Sequence, residues 1–127
     1  MAQTVVLLHQ QPGKPDHYDW LIDQPQLKTE HRLLTFRVTN RPDQQRVFQA
    51  EKAPDHRAFY LNYEGPLTDR RGCVTRVLRG EVRDLEVNPN QVSCLVKWAT
   101  VWLRIEALCT APETQSWRIE ATPTNQA

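Results

Sequence analysis

The chain has 127 residues and a formal net charge of +1, with 39% hydrophobic and 24% charged side chains. This length suits a single domain, residues 1–127, and the mixed composition excludes a disordered chain and a strongly electrostatic nucleic-acid binder. An anionic partner therefore requires a local patch of positive charge.

The N-terminus and the cysteines indicate the compartment. The first eight residues lack the features of a secretory signal, and no run approaches the length of a membrane span. Cys73, Cys94 and Cys109 are odd in number and widely spaced, which is typical of reduced thiols rather than of disulfides or a zinc site. Because each lies in an apolar run, we interpret all three as core residues, with a reactive role as the alternative. These features predict a cytoplasmic protein.

The beginning of the chain predicts two strands joined by a loop. Residues 4–9 form a β-branched and leucine-rich run that ends at His9, and residues 17–23 form the second strand. The loop over residues 10–16 contains two prolines and a glycine, which prevent a helix there. A polar segment with a proline, residues 24–29, closes the second strand.

The middle of the chain is less regular. A third strand is predicted over residues 33–38 and ends in a turn at 40–42, whereas residues 44–53 fit either a short strand or one helical turn. Pro54, Asp55 and His56 then open a loop.

In that loop, Asp55 is placed to cap a helical turn over residues 56–60, with Pro54 restricting the approach. An irregular connection follows, and it contains the basic pair Arg70 and Arg71 before Gly72.

The rest of the chain alternates between apolar and polar residues in five short segments: residues 73–78, 81–87, 91–98, 101–108 and 116–121. The breaks at 88–90 and 111–114 carry hairpin turn signals. Many short strands with turns between them predict a mainly β protein, a small antiparallel β-barrel or sandwich with short helical turns in its loops. The barrel is our prediction. The polar tail from Thr122 is expected to fray.

Three tryptophans lie in these late strands, namely Trp98, Trp102 and Trp117. They fit packing in the core or at the end of the barrel. A stacking platform for nucleic acid is the alternative for one of them.

A histidine and an aspartate lie two residues apart on the second predicted strand. His17 and Asp19 therefore point to the same face, and His9 ends the strand before them. Two imidazoles and a carboxylate form a three-ligand site of the type that divalent transition metals accept. The alternative is a hydrogen-bonded pair of His17 and Asp19 that needs no metal.

The order of these motifs resembles the 3'-phosphoesterase domain of bacterial DNA ligase D. The shared elements cover roughly residues 5–78 and, more weakly, the final hairpin up to Trp117. The first strand ends in a histidine, His9, and the next opens with His-Tyr-Asp, which is His17, Tyr18 and Asp19. The third strand carries an aromatic residue, Phe36. Two later motifs follow: Asp-His with a tyrosine four residues beyond the histidine, which is Asp55, His56 and Tyr60, and an aromatic followed by Glu-Gly, which is Tyr63, Glu64 and Gly65.

The resemblance implies a hydrolase of DNA repair that removes ribonucleotides and phosphates from the 3' ends of nucleic acid strands. It implies a catalytic manganese held by His9, His17 and Asp19. It also implies phosphate contacts by His56 and Tyr60, with His56 as a proton donor. From the residues alone, His56 fits a surface loop and Tyr60 a core aromatic. Ligase and polymerase activities are implied partners, and we expect a monomer.

The chain departs from the family pattern at the residue that grips the phosphate. The family has an arginine two residues after the aspartate, and this chain has Leu21, which cannot donate the forked hydrogen bonds of a guanidinium. The candidates to replace it are Lys14, Arg57, Arg70, Arg71 and Arg76, and the alternative is that these are ordinary solvated side chains. Three functions therefore remain open: a metal-dependent phosphoesterase, a barrel that binds metal or nucleic acid without turnover, and a purely structural barrel.

Overall fold

Nine β-strands account for most of residues 2–125, the part of the chain that the computed structural model describes. The strands are β1 Ala2–Gln10, β2 His17–Asp23, β3 Leu33–Val38, β4 Val47–His56, β5 Gly65–Pro66, β6 Cys73–Asn88, β7 Gln91–Trp98, β8 Val101–Ala111 and β9 Ser116–Thr124. Two short 3₁₀ turns, Pro42–Gln44 and Ala58–Leu61, lie in the connections. Among residues 2–125, no helix has the length and apolar character needed to cross a membrane.

The strands form one antiparallel sheet that closes in a ring. The order is β1, β2, β3, β4, β9, β8, β7, β6, and β6 pairs back onto β1. The long strand β6 makes this closure, because its first part pairs with β1 and its later part pairs with β7. The prediction of a mainly β fold with a small, barrel-like antiparallel sheet and short helical turns is confirmed.

The two faces of the sheet carry different sets of apolar side chains. The larger cluster fills the ring and receives side chains from β1–β4 and β6–β9, with Trp20 and Trp117 at its centre. A smaller cluster lies on the opposite, outer face of β1–β3 and β6: Val5, Leu7, Leu21, Leu33, Leu61 and Val74. Leu61 belongs to the turn Ala58–Leu61, so this turn covers the outer face of the ring.

The structure corrects the prediction for the end of β4. The strand runs to His56, whereas we predicted a loop that begins at Pro54. The pairing of β3 with β4 shifts register between Leu33 and Thr35, and this irregularity accommodates a proline inside the strand. The helical turn consequently starts at Ala58, its N-cap is Arg57 without a side-chain hydrogen bond, and Asp55 does not cap it.

Further strands extend beyond the predicted ranges: β1 begins at Ala2, β8 ends at Ala111, and β6 and β9 differ most. The segments 73–78 and 81–87 are one continuous strand through Gly80, where a Cβ atom would lie 2.4 Å from the Lys97 carbonyl oxygen and 2.8 Å from the Trp98 ring. This glycine therefore permits a close approach of β7 and is not a break. Thr122 pairs with Arg104, so β9 continues into the predicted frayed tail, of which residues 126–127 lie outside the described part.

Some of the tryptophans and cysteines that we predicted in the core are buried, and others are only half-buried. Trp98 and Trp117 are buried, but Trp102 is half-buried and lies beneath the cationic groups of Arg83 and Lys97. Cys94 is buried, and burial raises its thiol pKa to about 12. Cys109 is half-buried against the core and Cys73 is half-buried at the start of β6, so the core interpretation holds fully only for Cys94.

Candidate metal centre

The pairing of β1 with β2 brings three candidate metal ligands onto one face of the sheet. His9 pairs directly with His17, and Asp19 follows on the same side of β2 because alternate strand residues share a face. One ligand atom from each of these residues lies within 4.8 Å of the other two. The structure therefore brings together the three side chains that the sequence predicted, on the outer face that also carries Leu7 and Leu21.

The distances within this triad are short. His9 Nδ1 lies 3.2 Å from His17 Nε2, and His17 Nε2 lies 3.2 Å from Asp19 Oδ1. His9 Nδ1 lies 3.6 Å from Asp19 Oδ2. The three potential ligand atoms thus face one small common space.

A backbone carbonyl fixes the orientation of the His9 ring. His9 Nε2 lies 2.7 Å from the carbonyl oxygen of Arg71, which can only accept, so Nε2 carries the proton. The remaining nitrogen, Nδ1, then offers its lone pair to the triad. Such a backbone partner behind a ligating histidine is common in metal sites.

Gly72 places that carbonyl group. Its φ is +83°, and a Cβ atom at this position would lie 1.8 Å from the Gln10 carbonyl oxygen. Only glycine permits this approach of the loop to the end of β1. The loop before β6 is therefore held against the strand that carries His9.

Asp19 carries a buried charge next to basic groups. Besides the two imidazoles, Arg37 Nε lies 3.6 Å from Asp19 Oδ1, and these contacts are ionic rather than well-directed hydrogen bonds. Burial raises the pKa of Asp19, but the contacts with His17 and His9 outweigh burial and hold the pKa well below its usual range. The same contact with Asp19 raises the pKa of His9, against the opposing effect of burial.

The donor set fits a divalent transition metal. Two nitrogen ligands that lie about 2.1 Å from one ion at tetrahedral angles are roughly 3.4 Å apart, which is close to the 3.2 Å between the two imidazole nitrogens. Asp19 Oδ1 is buried and lacks a well-directed hydrogen bond within residues 2–125. Such an acceptor is costly to bury unless a cation or water satisfies it. The residues present can therefore hold a divalent transition metal ion.

His56 and Tyr60 line the same crevice as the triad. His56 Nδ1 lies 3.0 Å from both the Pro54 carbonyl oxygen and Thr35 Oγ1. Thr35 donates its own proton to the Leu33 carbonyl, so both neighbours of Nδ1 accept. Nδ1 therefore carries a proton, and Nε2 is the nitrogen free to exchange one.

The ring of Tyr60 contacts His56 edge-on, with ring centroids 5.8 Å apart. Tyr60 also packs against the outer apolar cluster. Its position therefore fits both interpretations of the sequence, a packing aromatic and a residue of the crevice.

Arg37 is a crevice residue that the sequence reasoning missed. It pairs directly with Asp19 across β2 and β3, and it lies between the carboxylates of Asp19 and Glu51, the latter 4.0 Å away. Leu21, the residue where the resemblance led us to expect an arginine, is fully buried in the outer apolar cluster. Arg37 can be identified from the register of β2 on β3, which pairs it with Asp19.

The crevice that contains these groups has a volume of about 920 Å³. All four histidines of the chain line it, including His31, which the sequence reasoning did not select. Of the basic residues proposed to replace the family's arginine, Lys14, Arg57 and Arg71 line the crevice. Asp55 also lies at its edge, where its carboxylate is 3.6 Å from Lys52 Nζ.

The Tyr-Glu-Gly motif has a structural position. Glu64 accepts a hydrogen bond from the backbone N–H of Arg76 at 2.7 Å, and the Tyr63 hydroxyl donates to the Pro66 carbonyl oxygen. Both contacts hold the connection that leads into β6.

Comparisons with known proteins add no family assignment. No protein-family model matches this chain, and no curated protein sequence matches it significantly.

Proposed function

We propose that this protein is a metal-dependent phosphoesterase that acts on the 3' ends of nucleic acid strands. The observation that carries the proposal is the convergence of His9, His17 and Asp19 beside Arg37 in the crevice that His56 also lines. The order of motifs shared with the phosphoesterase domain of DNA ligase D supports the same substrate class.

In this proposal, His9, His17 and Asp19 hold the metal ion. When bound, manganese supplies Lewis-acid stabilisation for the negative charge of the reacting phosphate. The Arg71 carbonyl keeps His9 in the tautomer that presents Nδ1, and the low pKa of Asp19 keeps its carboxylate ionised at neutral pH.

Arg37 supplies the phosphate contact that the ligase D domain makes with an arginine and that Leu21 cannot make. Its side chain is 43% exposed, and its guanidinium lies next to the buried carboxylate of the triad. A guanidinium there can donate to phosphate oxygens, which it does more specifically than an ammonium group. Arg37 thus grips the phosphate from β3 rather than from β2.

His56 supplies the proton for the leaving group. With both ring nitrogens protonated, His56 gives its Nε2 proton to the 3' oxygen as water adds to phosphorus and the bond between phosphorus and that oxygen breaks. The protons of the water stay on the released phosphate and exchange with solvent, and the Nε2 proton of His56 is restored from solvent. The contacts of Nδ1 with Pro54 and Thr35 hold the ring in place for this transfer. Tyr60 supports the imidazole edge-on and offers a hydroxyl to the phosphate.

A second candidate function is a barrel that binds metal or nucleic acid without turnover. The observation that favours it is the burial of Leu21 among apolar side chains, together with the carboxylates of Asp19 and Glu51 on either side of Arg37. In that case the guanidinium stays engaged and does not reach a phosphate.

The test is manganese-dependent release of phosphate from a 3'-phosphorylated primer. We expect release by the wild type, loss in His17→Ala and Asp19→Asn, and a loss of about tenfold to a hundredfold in Arg37→Met. Arg118→Met is the matched control, because Arg118 is also 43% exposed and ion-paired but lies on β9 outside the crevice lining.

The same samples separate the two candidate functions through metal affinity, measured by calorimetry with Mn²⁺. Asp19→Asn should weaken binding at least tenfold, whereas Asp23→Asn, which removes another buried β2 carboxylate, should not. Metal binding without phosphate release across several divalent metals would establish the non-catalytic barrel, and the absence of both would refute the two proposals together.

We place this activity in the end-processing step of DNA repair, next to ligase and polymerase partners that act on the same ends, and we propose a monomer. The three free cysteines support a reducing compartment such as the cytoplasm.

A further inference from the structure

We propose that Phe59 and Tyr63 form a stacking platform for the unpaired nucleobase at the 3' end of the substrate strand. This inference rests on the proposed function, because it assigns a place to the base attached to the phosphate that the crevice receives. It goes further in naming a single-stranded end as the preferred substrate.

Phe59 is exposed although it is aromatic. It is 55% exposed, the highest value among the large hydrophobic side chains exposed within residues 2–125, and it is the one aromatic among them: Leu27, Val47, Phe59, Val87, Val101 and Leu108. The hydrophobic effect penalises such exposure, so the ring presents a surface that a planar apolar partner can cover.

The ring of Phe59 is held rather than loose. It stacks on Tyr63 with centroids 4.7 Å apart and an interplanar angle of 30°. Tyr63 is itself fixed by its hydroxyl contact with Pro66. Because Phe59 stays 55% exposed within this stacked pair, part of its surface remains accessible to a third ring, as in sites that bind single bases.

The platform adjoins the crevice through a continuous series of ring contacts. Phe59 lies 5.3 Å from Tyr60, and Tyr60 lies 5.8 Å from His56, measured between ring centroids. A base on Phe59 is therefore separated from the proton donor by one aromatic ring.

Arg57 adds the charge that a nucleotide requires. Its Cζ atom lies 5.8 Å from the Phe59 centroid and 5.7 Å from the Tyr60 centroid, and its side chain lines the crevice. A cation next to stacked rings is the combination that tracks a strand of alternating bases and phosphates. A docked protein segment would not need the adjacent phosphate site, so we favour a nucleobase as the occupant.

The test compares two oligonucleotides that differ only in the terminal base. One is a labelled 3'-phosphorylated thymidine pentamer, and the other carries an abasic residue at the 3' position. Affinity is measured by fluorescence anisotropy, with and without Mn²⁺, and phosphate release is measured in parallel. The wild type should bind the complete pentamer roughly tenfold more tightly than the abasic one.

Phe59→Ala should abolish this preference and leave the affinity for the abasic pentamer unchanged, while Phe59→Trp should retain it. Leu108→Ala is the matched control, because Leu108 is 48% exposed but lies on β8, outside the series of ring contacts from Phe59 through Tyr60 to His56. A blunt duplex with the same end should gain nothing from Phe59, since the platform is one ring wide.

The outcomes separate this inference from the proposed function. Base-dependent binding without phosphate release would refute the proposed enzyme activity and support the stacking platform. Phosphate release that is equal for both pentamers and unaffected by Phe59→Ala would overturn the platform alone. If neither pentamer binds, Phe59 is not a nucleobase platform, and its exposed face belongs to a protein contact.

Discussion

At the scale of single residues, Asp19 and His9 determine each other's protonation. The contact with Asp19 raises the pKa of His9, and the contacts with His17 and His9 hold the pKa of Asp19 low. A proton on His9 Nδ1 occupies the position from which this nitrogen would bind a metal. In the proposed metal centre, protons and metal ions would therefore compete for this nitrogen.

This competition gives opposite pH trends with and without metal. A raised pKa of His9 stabilises the metal-free fold below its ordinary 6.5, and this stabilisation is lost as the pH rises through the folded-state pKa. The lowered pKa of Asp19 stabilises the fold above its ordinary 3.8, and this is lost as the pH falls further. The contribution of the pair to the metal-free protein is therefore greatest between these two values.

The stabilisation that Mn²⁺ adds should instead grow as the pH rises through the pKa of His9. Urea unfolding followed by tryptophan fluorescence, at several pH values with and without Mn²⁺, measures both trends. Asp19→Asn should remove both of them. A metal-induced shift in the urea midpoint that stays constant from pH 5 to pH 8 would contradict this account.

Leu21 is a position where substitution by arginine should harm the protein. It is fully buried in the outer apolar cluster, so Leu21→Arg places a charge among apolar side chains without a partner. We expect a loss of about 3–5 kcal/mol in the free energy of unfolding rather than a gain of activity. Chemical denaturation tests this, with Leu21→Met as the control at less than about 1.5 kcal/mol.

The sequence could predict the triad but not its arginine. His17 and Asp19 share a face in any strand, and His9 ends the preceding run, so local periodicity was sufficient. Arg37 reaches Asp19 only through the register of β3 on β2, which periodicity within one strand does not contain. His31 lies in a loop, where no periodicity applies.

At the scale of elements, the loop before β6 positions the triad from behind. It supplies the Arg71 carbonyl to His9 and packs Gly72 against Gln10. A glycine elsewhere offers a direct comparison, because Gly13 also has a positive φ, +77°, but its added Cβ would meet no atom within 4 Å.

Alanine at these two glycines should therefore have different effects. Gly13→Ala should cost about 1 kcal/mol from the left-handed backbone alone. Gly72→Ala adds a clash with backbone, so we expect roughly 2–4 kcal/mol and a weaker affinity for Mn²⁺ as the loop withdraws from His9. Urea unfolding and calorimetry measure the two effects. Equal losses in both variants would show that the close approach at Gly72 is unimportant.

Element boundaries were predictable where alternation was clean. Strands β2, β3 and β7 begin and end where the pattern predicted. Two of the errors occur at Pro54 and Gly80, residues that normally interrupt strands. At Pro54 a shift in register absorbs the proline, and at Gly80 the Trp98 ring takes the space of a missing side chain. Both causes are tertiary, so local propensity could not reveal them.

At the scale of the whole molecule, the fold depends on a pairing between distant parts of the chain. The ring closes when β1 pairs with β6, from Ala2 with Val82 to Gln10 with Cys73. By contrast, β7 and β8 form a local hairpin from Gln91 to Leu108. The number of short alternating segments predicted the fold class, but the closing partner of β1 could be identified only from the assembled sheet.

This difference predicts the order of folding events. Refolding should occur in milliseconds to seconds, as for other folds with many non-local pairs. Val92→Ala, in the hairpin, should mainly slow folding, whereas Val6→Ala, in β1, should mainly accelerate unfolding; both valines are buried in the core. Stopped-flow measurements across a urea range decide this, and the reverse pattern would show that closure precedes the hairpin.

The two faces of β2 have a practical consequence for engineering. Trp20 and Ile22 point into the ring, while His17 and Asp19 point away from it. A combinatorial library restricted to the inward positions should yield variants that differ in melting temperature but keep the His9, His17 and Asp19 side chains in place. A library at the outward positions 17 and 19 should instead change metal affinity and leave the packing inside the ring as it is.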